Sequence, residues 1–510
     1  MLAKVFSAGL MGIDAYPIEI EVDVSSGLPK EVVVGLPDAA VKESKDRVHA
    51  AINNSGFKYP NDKITINLAP ADIKKEGPSF DLPIALGVLV ASEEMSPGSF
   101  EPHIIIGELA LNGHIRPVKG VLSIALAARK WGVKSLLVPV DNAREAAIVR
   151  DIEVRAVKNL LEAVKYLNGE INIEPIQLDM KEIFHDSSSY DLDFADVKGQ
   201  QDVKRAIEVA VAGGHNLIMI GPPGAGKSML AKRIPTILPV MSLEESLETT
   251  RIHSSVGLLA KDDALIATRP VRSPHHTISD IALIGGGAKI SPGEVSLAHN
   301  GVLFLDELPE FHRNVLEVLR QPLEDGEVTI SRASGSLTFP SRFMLVAAMN
   351  PCPCGFYTDP KRECRCLPGQ IRKYMAKISG PLLDRIDIHI EVGSVDYREM
   401  SRGVDGEPSR SIRARVGAAR TIQQERYREY GIYCNADMGA RQLRSSCRLS
   451  REALEVLEMA MSDMGLSARA YDRILKVSRT IADLEGEMDI LSPHVSEAIQ
   501  YRILDRKLWL

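Results

Sequence analysis

The chain has 510 residues, a formal net charge of −7, an apolar content of 45% and a charged content of 25%. Its length exceeds what one hydrophobic core usually serves, so several domains are expected, and the composition excludes broad disorder. The negative net charge excludes a polycationic surface, so any nucleic acid must be bound by a local basic groove or channel. No apolar run reaches about 18 residues, which favours a cytoplasmic protein without a membrane partner.

Segments with strand and helix periodicity alternate through the first third of the chain. Helices are predicted at 81–92 and 121–131, and strands at 18–24, 31–34, 63–67, 104–106 and 135–138. This alternation predicts a compact α/β domain over residues 1–170. The stretch over 171–193 is rich in acids and serines and has no clear period, so we interpret it as a linker.

Short apolar strands continue beyond the linker and alternate with helices. They are predicted at 217–220, 302–305, 343–347 and 386–390. The pattern is typical of a parallel sheet covered by helices and predicts a second α/β domain over residues 194–392. Residues 393–510 change to helical periodicity and form a predicted lid. Between 398 and 451 arginines are about twice as frequent as acids, which fits either a nucleic-acid surface or a solvated helical face.

A glycine-rich segment follows the strand at 217–220 and precedes a predicted helix. It consists of Gly221, Pro222, Pro223, Gly224, Ala225, Gly226, Lys227 and Ser228. Backbone N–H groups of such a Walker A loop close around phosphate oxygens, and the following helix adds its positive N-terminal end. Lys227 is expected to reach the β- and γ-phosphates of ATP, and Ser228 to offer its hydroxyl to Mg²⁺.

Three further polar residues complete the predicted nucleotide site. The buried strand at 302–305 ends in Asp306, which is expected to hold Mg²⁺, and Glu307, which is expected to orient and polarise the attacking water. Asn350 ends another apolar strand, at the edge where ligands of open α/β sheets bind, and is expected to sense the γ-phosphate. The sequence therefore predicts an ATP-hydrolysing enzyme.

These motifs in this order resemble AAA+ ATPases, and within them the branch of magnesium chelatase and the minichromosome-maintenance proteins. The segment PLLDRID at 381–387 resembles the arginine-finger box of that branch. The resemblance implies that Arg385 reaches the ATP of a neighbouring subunit in a ring, expected to be a homohexamer, with a surface ion pair as the alternative. The segment at 465–470 resembles the start of a sensor 2 helix, which implies a γ-phosphate contact for Arg469, with Arg473 as the competing choice.

The same branch carries two insertions that face the pore of the ring, and the sequence has room for both. Residues 274–300 lie where the helix-2 insertion belongs, and residues 328–339 are predicted to form a β-hairpin with Ala-Ser-Gly-Ser at its tip. Lys289 and Arg332 lie in these segments and are candidates for contacts with a DNA phosphate backbone. Solvated loop bases are the alternative for both residues.

The chain resembles the YifB/ComM family over nearly its whole length. The segments that carry this resemblance lie at 77–87, 107–121, 273–287, 350–355 and 467–484. It implies an N-terminal Lon-protease-like α/β domain, with the fold of ribosomal protein S5 domain 2, joined to a magnesium-chelatase-like P-loop motor and a helical lid. It also implies the activity of hexameric helicases that drive branch migration during natural transformation, with branched or duplex DNA as partner.

A Lon-like protease needs a lysine that deprotonates its serine nucleophile. Ser79 lies in the matching Gly-Pro-Ser turn, but ungapped matching places Leu122 at the lysine position and Lys119 three residues too early. We therefore expect a ring-forming or DNA-engaging scaffold rather than a peptidase.

Four of the six cysteines lie close together in a loop over residues 350–368; they are Cys352, Cys354, Cys364 and Cys366. In a chain without a secretion signal, this clustering favours a structural Zn²⁺ site over disulfides, with reduced thiols or redox chemistry as alternatives. The C-x-C spacing departs from the C-x2-C pairs that are usual in zinc sites.

The leading interpretation is a ring-forming ATPase that translocates on DNA and remodels it. Three alternatives stay open at this stage. They are a magnesium-chelatase-type motor that remodels a protein partner, an ATP-dependent Lon-like protease, and an ATP-gated scaffold that loads other DNA proteins.

Overall fold

The computed structural model describes residues 1–96, 100, 103–179, 191–260, 263–287, 289–332, 335–357, 359, 362–393 and 406–504. Contacts between residues divide the chain into two compact units. The first is Met1–Ser187 with Leu243–Ala267, and the second is Ser188–Ser242 with Thr268–Leu510. Over the described residues, no helix combines the length and the apolar character needed to cross a membrane.

The first unit begins with a four-stranded sheet and two helices. They are β1 (Leu2–Met11), β2 (Asp14–Ser25), β3 (Lys30–Val34), α1 (Ala39–Asn54), β4 (Lys63–Ala69) and α2 (Asp81–Ala91), with strand order β1-β2-β4-β3. Alternate residues of β2, including Ile18, Ile20 and Val22, are buried, as a period-two pattern requires. Every residue of α2 is buried, so this helix forms much of the apolar core.

A second group of elements completes the N-terminal part of this unit. They are β5 (His103–Ile105), β6 (Glu108–Leu109), β7 (Ile115–Arg116), α3 (Val121–Lys130), β8 (Ser135–Pro139), α4 (Val140–Ala146), β9 (Glu153–Val157) and α5 (Leu160–Leu167). Strands β5, β8 and β9 form a parallel sheet, and β6 pairs antiparallel with β7. The helices predicted at 81–92 and 121–131 are confirmed to within one residue at each end.

The second unit contains a five-stranded sheet in which each hydrogen-bonded pair is parallel. From α6 to β13, the elements in chain order are α6 (Gln201–Gly213), β10 (Leu217–Ile220), α7 (Lys227–Arg233), α8 (Leu243–Val256), β11 (Val271–Arg272), α9 (Asp280–Ile284), β12 (Gly285–Gly286) and β13 (Ser291–Pro292), of which α8 belongs to the first unit. Those that follow are α10 (Glu294–Leu297), β14 (Val302–Leu305), α11 (Arg313–Glu317), α12 (Arg320–Asp325), β15 (Glu327–Arg332), β16 (Gly335–Pro340), β17 (Met344–Met349), α13 (Pro368–Met375), α14 (Gly380–Leu383) and β18 (Ile388–Glu391).

The order of the parallel strands is β11-β14-β17-β10-β18. Every residue of β10, β14 and β17 is buried, because a parallel sheet is covered on both faces and its strands are apolar runs rather than alternating patterns. The predicted parallel α/β fold is therefore confirmed, and the strands predicted at 217–220 and 302–305 match residue for residue.

Within the described residues 406–504, five helices form the C-terminal part of the second unit: α15 (Ser409–Arg426), α16 (Ala440–Ser446), α17 (Arg451–Met464), α18 (Ala468–Glu485) and α19 (Ser492–Gln500). Arg426 Nη1 lies 2.9 Å from Oδ2 of the buried Asp483, and Arg415 Nε lies 2.5 Å from Glu208 Oε1. Arg420 is buried and donates to a backbone carbonyl. For these three arginines the contacts favour internal pairing over a nucleic-acid surface.

Helix α8 packs within the first unit, although the predicted 194–392 domain includes it. Ser254 Oγ donates to Glu145 Oε2 at 2.6 Å, and Arg251 Nη2 lies 2.6 Å from Asp14 Oδ1. Burial raises the pKa of Glu145, and the hydrogen bond from Ser254 opposes that shift. Periodicity identifies such a helix but not the surface on which it packs.

The linker at 171–193 and the boundary between motor and lid at 393 stay predictions. Residues 180–190 of the linker, residues 394–405 around the lid boundary and residues 505–510 lie outside the described residues.

Candidate active site

Three parallel strands of the second unit end at one edge of the sheet and are followed there by polar residues. Strand β10 leads into Gly221, β14 into Asp306 and β17 into Asn350. A cleft of about 370 Å³ at this edge is lined by residues 223–229, Asp306, Glu307, Met349 and Asn350. The structure therefore brings together the Walker A loop, the two carboxylates and the asparagine from three separate strand ends.

The Lys227 ammonium group is buried in this cleft. Its Nζ donates to Asn350 Oδ1 at 3.1 Å and to the carbonyl oxygens of Gly221 and Pro222 at 2.7 and 3.0 Å. Burial lowers the pKa of Lys227, and the two carboxylates of the cleft oppose that shift. An anionic group that enters the cleft stabilises such a cation, as a phosphate would.

The oxygen atoms of Ser228 and Asp306 could serve as ligands of a magnesium ion beside a bound phosphate. Ser228 Oγ donates to Asp306 Oδ2 at 2.6 Å, and the Glu307 N–H donates to Asp306 Oδ1 at 2.9 Å. Hydroxyl and carboxylate oxygens are the ligands that Mg²⁺ prefers. Gly224 and Gly226 have φ of 79° and 89°, in the left-handed region, and no atom lies within 4 Å of the position that a Cβ would take on Gly224. The loop thus leaves open space where phosphate oxygens approach.

Glu307, the predicted base, follows β14 with its side chain 59% exposed. Its φ of 52° lies in the left-handed region that few non-glycine residues adopt. His276 Nδ1 lies 3.8 Å from Glu307 Oε2, and the His276 and Phe311 rings meet edge-on with centroids 6.4 Å apart. Sequence patterns assign no role to His276. Its place shortly after β11, the strand beside β14, is the signal that could identify it.

Arg385 lies at the opposite edge of the sheet. Asn216 precedes β10 and donates through Nδ2 to the Arg385 carbonyl oxygen at 2.9 Å, whereas Gly221 follows β10. The four residues of β10 span about 13 Å, so the backbone of Arg385 lies about that far from the cleft. Its guanidinium pairs with Glu324 and donates to the Pro381 carbonyl oxygen at 2.7 Å. The structure does not bring Arg385 to the nucleotide residues of its own chain.

Arg469 and Arg473 lie near Arg385 rather than in the cleft. The hydrogen bond from Arg385 lowers the pKa of Glu324, and the charges of Arg469 and Arg473 add to that shift. Arg473 Nε also lies 3.6 Å from Asp387 Oδ1, two residues beyond Arg385. The charges of both candidate sensor 2 arginines therefore act on the carboxylate that pairs with Arg385, on the side of the sheet away from the cleft.

Known families and proteins match this chain along most of its length. Three family descriptions match: magnesium chelatase, subunit ChlI, over residues 193–400; subunit ChlI of Mg-chelatase, over residues 20–142; and magnesium chelatase, subunit ChlI C-terminal, over residues 406–502. The competence protein ComM of Haemophilus influenzae is 46% identical over 512 residues, which cover 99% of this chain and 98% of that protein. YifB of Escherichia coli is 44% identical over 511 residues, with coverage of 99% and 98%. The chain belongs to the YifB/ComM family.

Membership in the YifB/ComM family makes the protein a magnesium-chelatase-like AAA+ ATPase, and it implies a nucleotide with Mg²⁺. The cleft contains Lys227 as a cation for the phosphates, and the oxygens of Ser228 and Asp306 as ligands for Mg²⁺.

The N-terminal domain of this YifB/ComM protein is Lon-like. Lon protease 2 of Bacillus subtilis is 28% identical over 177 residues, which are 31% of this chain and 30% of that protein. Leu122 is fully buried in α3, and the Lys119 side chain lies against Gly257. A leucine cannot deprotonate Ser79, so the loss of the protease dyad stays the prediction for this domain.

Both candidate pore insertions of the YifB/ComM protein form hairpins, and the two hairpins touch. Ile330 Cδ1 on β15 lies 2.8 Å from the position that a Cβ would take on Gly285 in β12. Arg332 ends β15 and Lys289 lies between β12 and β13; both residues are exposed. The predicted tip of the second hairpin includes residues 333 and 334, which lie outside the described residues, as does residue 288.

The structure also brings together the four clustered cysteines. The sulfur atoms of Cys352, Cys354, Cys364 and Cys366 all lie within 4.8 Å of one another. Cys352 Sγ lies 3.4 Å from Cys354 Sγ and 3.7 Å from Cys364 Sγ, and the last two sulfurs are 3.6 Å apart. All four are free cysteines.

Proposed function

We propose that this YifB/ComM protein is a homohexameric motor that couples ATP hydrolysis to translocation on DNA and to remodelling of branched or duplex DNA. The observation that carries the proposal is the contact between the hairpins β12–β13 and β15–β16, with Lys289 and Arg332 exposed on them. A motor that moves along DNA needs phosphate contacts without sequence readout, and lysine and arginine side chains supply them. A relative named as a competence protein adds support for DNA as the track.

Each polar side chain of the cleft has a part in ATP hydrolysis. Lys227 and Asn350 bind the terminal phosphates, while Ser228 and Asp306 would hold Mg²⁺. When bound there, Mg²⁺ would supply positive charge beside the phosphate oxygens. Glu307 accepts a hydrogen bond from the attacking water and aligns it with the γ-phosphate.

A second copy of the chain completes the nucleotide site. Arg385 lies about one strand length away from its own cleft, so it serves the ATP of a neighbouring subunit and stabilises transition-state charge there. Arg469, the predicted sensor 2 arginine, contacts the γ-phosphate at the same neighbouring site, whereas the competing choice Arg473 contacts Asp387 and the Ile386 carbonyl oxygen of its own chain. A head-to-tail contact of this kind closes into a ring when it is repeated by rotation.

We also propose that Cys352, Cys354, Cys364 and Cys366 hold one structural Zn²⁺. Four thiolates in tetrahedral arrangement are a common ligand set of structural zinc. The close approach of the four sulfurs supports this ligand set despite the unusual C-x-C spacing.

The test is ATP hydrolysis by the purified full-length chain with a branched junction, with linear duplex and without DNA. We expect the junction to raise turnover, and its strands to be exchanged only while ATP is hydrolysed. Glu307→Gln is the matched control, which is expected to assemble and bind ATP without moving strands. A well-formed ring that shows neither stimulation nor strand movement contradicts the proposal.

The magnesium-chelatase matches over 193–400 and 406–502 support a second candidate, a motor that remodels a protein partner. A ring that hydrolyses ATP at a rate independent of DNA, and that is stimulated by a protein instead, favours this candidate.

A further inference from the structure

The spacing of the clustered sulfurs fits a shared metal ion and does not fit a disulfide. Four sulfurs that each lie about 2.3 Å from a tetrahedral Zn²⁺ are about 3.8 Å apart, and a disulfide requires about 2.0 Å. The separations of 3.4, 3.7 and 3.6 Å are close to the first value and far from the second. A backbone donor also points at one of the sulfurs: the Tyr357 N–H donates to Cys352 Sγ at 3.3 Å. Such outer hydrogen bonds orient metal ligands.

This cysteine loop touches the Walker A loop at two points. Gly355 has a φ of 84°, and a Cβ at this position would lie 2.4 Å from Pro223 Cδ, so glycine alone permits the approach. On the other side, Asn350 precedes Cys352 by two residues and accepts the hydrogen bond of 3.1 Å from Lys227. The segment between these two contacts contains two of the four sulfur ligands.

We propose that the metal ion in the cysteine cluster holds the Walker A loop in its nucleotide-binding conformation, so that loss of Zn²⁺ weakens ATP binding. The proposal rests on the proposed zinc site. A bound ion fixes Cys352 and Cys354, and therefore the backbone from Asn350 to Gly355. At one end of this segment Gly355 packs against Pro223, and at the other end Asn350 accepts the hydrogen bond from Lys227. Without the ion, four thiols have no common ligand to keep this segment in one conformation.

The first measurement is the zinc content of the full-length protein, released by a thiol reagent and read with a chromogenic chelator. One Zn²⁺ per chain is expected, and Cys354→Ser is expected to lose it and to bind a fluorescent ATP analogue about tenfold more weakly. Cys447→Ser, at a free cysteine outside the cluster, is the matched control and should retain both properties. A metal-free wild-type protein overturns the zinc site itself.

A second variant keeps all four ligands. Gly355→Ala is expected to retain one Zn²⁺ per chain and to weaken binding of the ATP analogue, because its Cβ displaces Pro223. Gly431→Ala is the control for backbone strain, since Gly431 also has a positive φ, of 64°, and has no atom within 4 Å of its Cβ position. Full zinc content together with unchanged affinity in Gly355→Ala overturns the coupling and leaves the zinc site in place. Zinc content and affinity for the ATP analogue are both measured without DNA. Their outcome in Cys354→Ser and Gly355→Ala is therefore independent of whether the protein is a DNA motor.

Discussion

Asn216 Nδ2 donates a hydrogen bond of 2.9 Å to the Arg385 carbonyl oxygen and so holds the arginine beside the first residue of β10. The Walker A loop begins after the last residue of the same strand. Parallel strands place these two features at opposite edges of the sheet, and a side chain cannot cross a covered sheet. An arginine that acts on ATP from this position therefore acts on the ATP of another subunit.

Arg385→Ala is expected to bind ATP normally and to hydrolyse it at least about 10³-fold more slowly, because an arginine finger contributes to the transition state rather than to ground-state binding. Nucleotide affinity and steady-state turnover check the two parts separately. If turnover is unchanged, Arg385 does not act on ATP, and its side chain serves only the ion pair with Glu324.

Mixing experiments distinguish action between subunits from action within one subunit. Lys227→Ala removes the phosphate contact of its own cleft but leaves its Arg385 intact. A mixture with Arg385→Ala therefore contains interfaces with both residues present, and it should recover part of the activity that neither variant has alone. No recovery in mixed rings contradicts action between subunits.

The sequence predicts the nucleotide cleft better than it predicts the arginines. Gly221, Asp306 and Asn350 each directly follow an apolar strand, and the carboxyl ends of parallel strands meet at one edge of the sheet, so their proximity can be predicted without knowledge of packing. The position of Arg469 depends on how α18 packs, which periodicity does not encode. The same holds for the packing of α8 in the first unit and for the proximity of His276 to Glu307, which follows from the pairing of β11 with β14.

Glu307→Gln is expected to lower steady-state ATP turnover by at least about 10²-fold while ATP remains bound, because the amide does not polarise the attacking water as a carboxylate does.

His276→Ala tests whether the imidazole 3.8 Å from the Glu307 carboxylate positions that group. A several-fold loss in turnover with unchanged ATP affinity is expected. The control is His275→Ala, which removes the neighbouring ring, and an equal loss in both variants would assign the effect to packing instead.

Asp81 makes the stability of the first unit depend on pH. The carboxyl group is 1% exposed and lies 2.7 Å from Arg47 Nε. Burial raises the pKa of Asp81 from 3.8 to about 6, although the ion pair with Arg47 opposes the shift. Because the folded-state pKa is the higher one, the contribution of Asp81 to stability is full below pH 3.8 and is lost as the pH rises through about 6.

The difference in pKa corresponds to at most about 3 kcal/mol. Denaturant unfolding between pH 4 and 7 should therefore show that Asp81→Asn, which carries no charge at either pH, has a flatter pH dependence than the wild type. Asp46→Asn, on the exposed side of α1, is the matched control and should keep the wild-type slope. Parallel curves for wild type and Asp81→Asn would show that Arg47 keeps the carboxylate ionised throughout this range.

Arg332 and Lys289 test DNA as the track of the motor. Each lysine or arginine that contacts a phosphate releases about one counterion, so removal of one such contact lowers the slope of log affinity against log salt by about 1. Arg332→Ala and Lys289→Ala are each expected to weaken binding to junctions of any sequence and to reduce this slope, with ATP affinity unchanged. Arg451→Ala is the control, since that arginine is 92% exposed on α17, away from both hairpins in the chain. If all three variants retain the wild-type salt slope, the two hairpins do not contact the phosphate backbone. That result contradicts the proposal that these hairpins bind DNA.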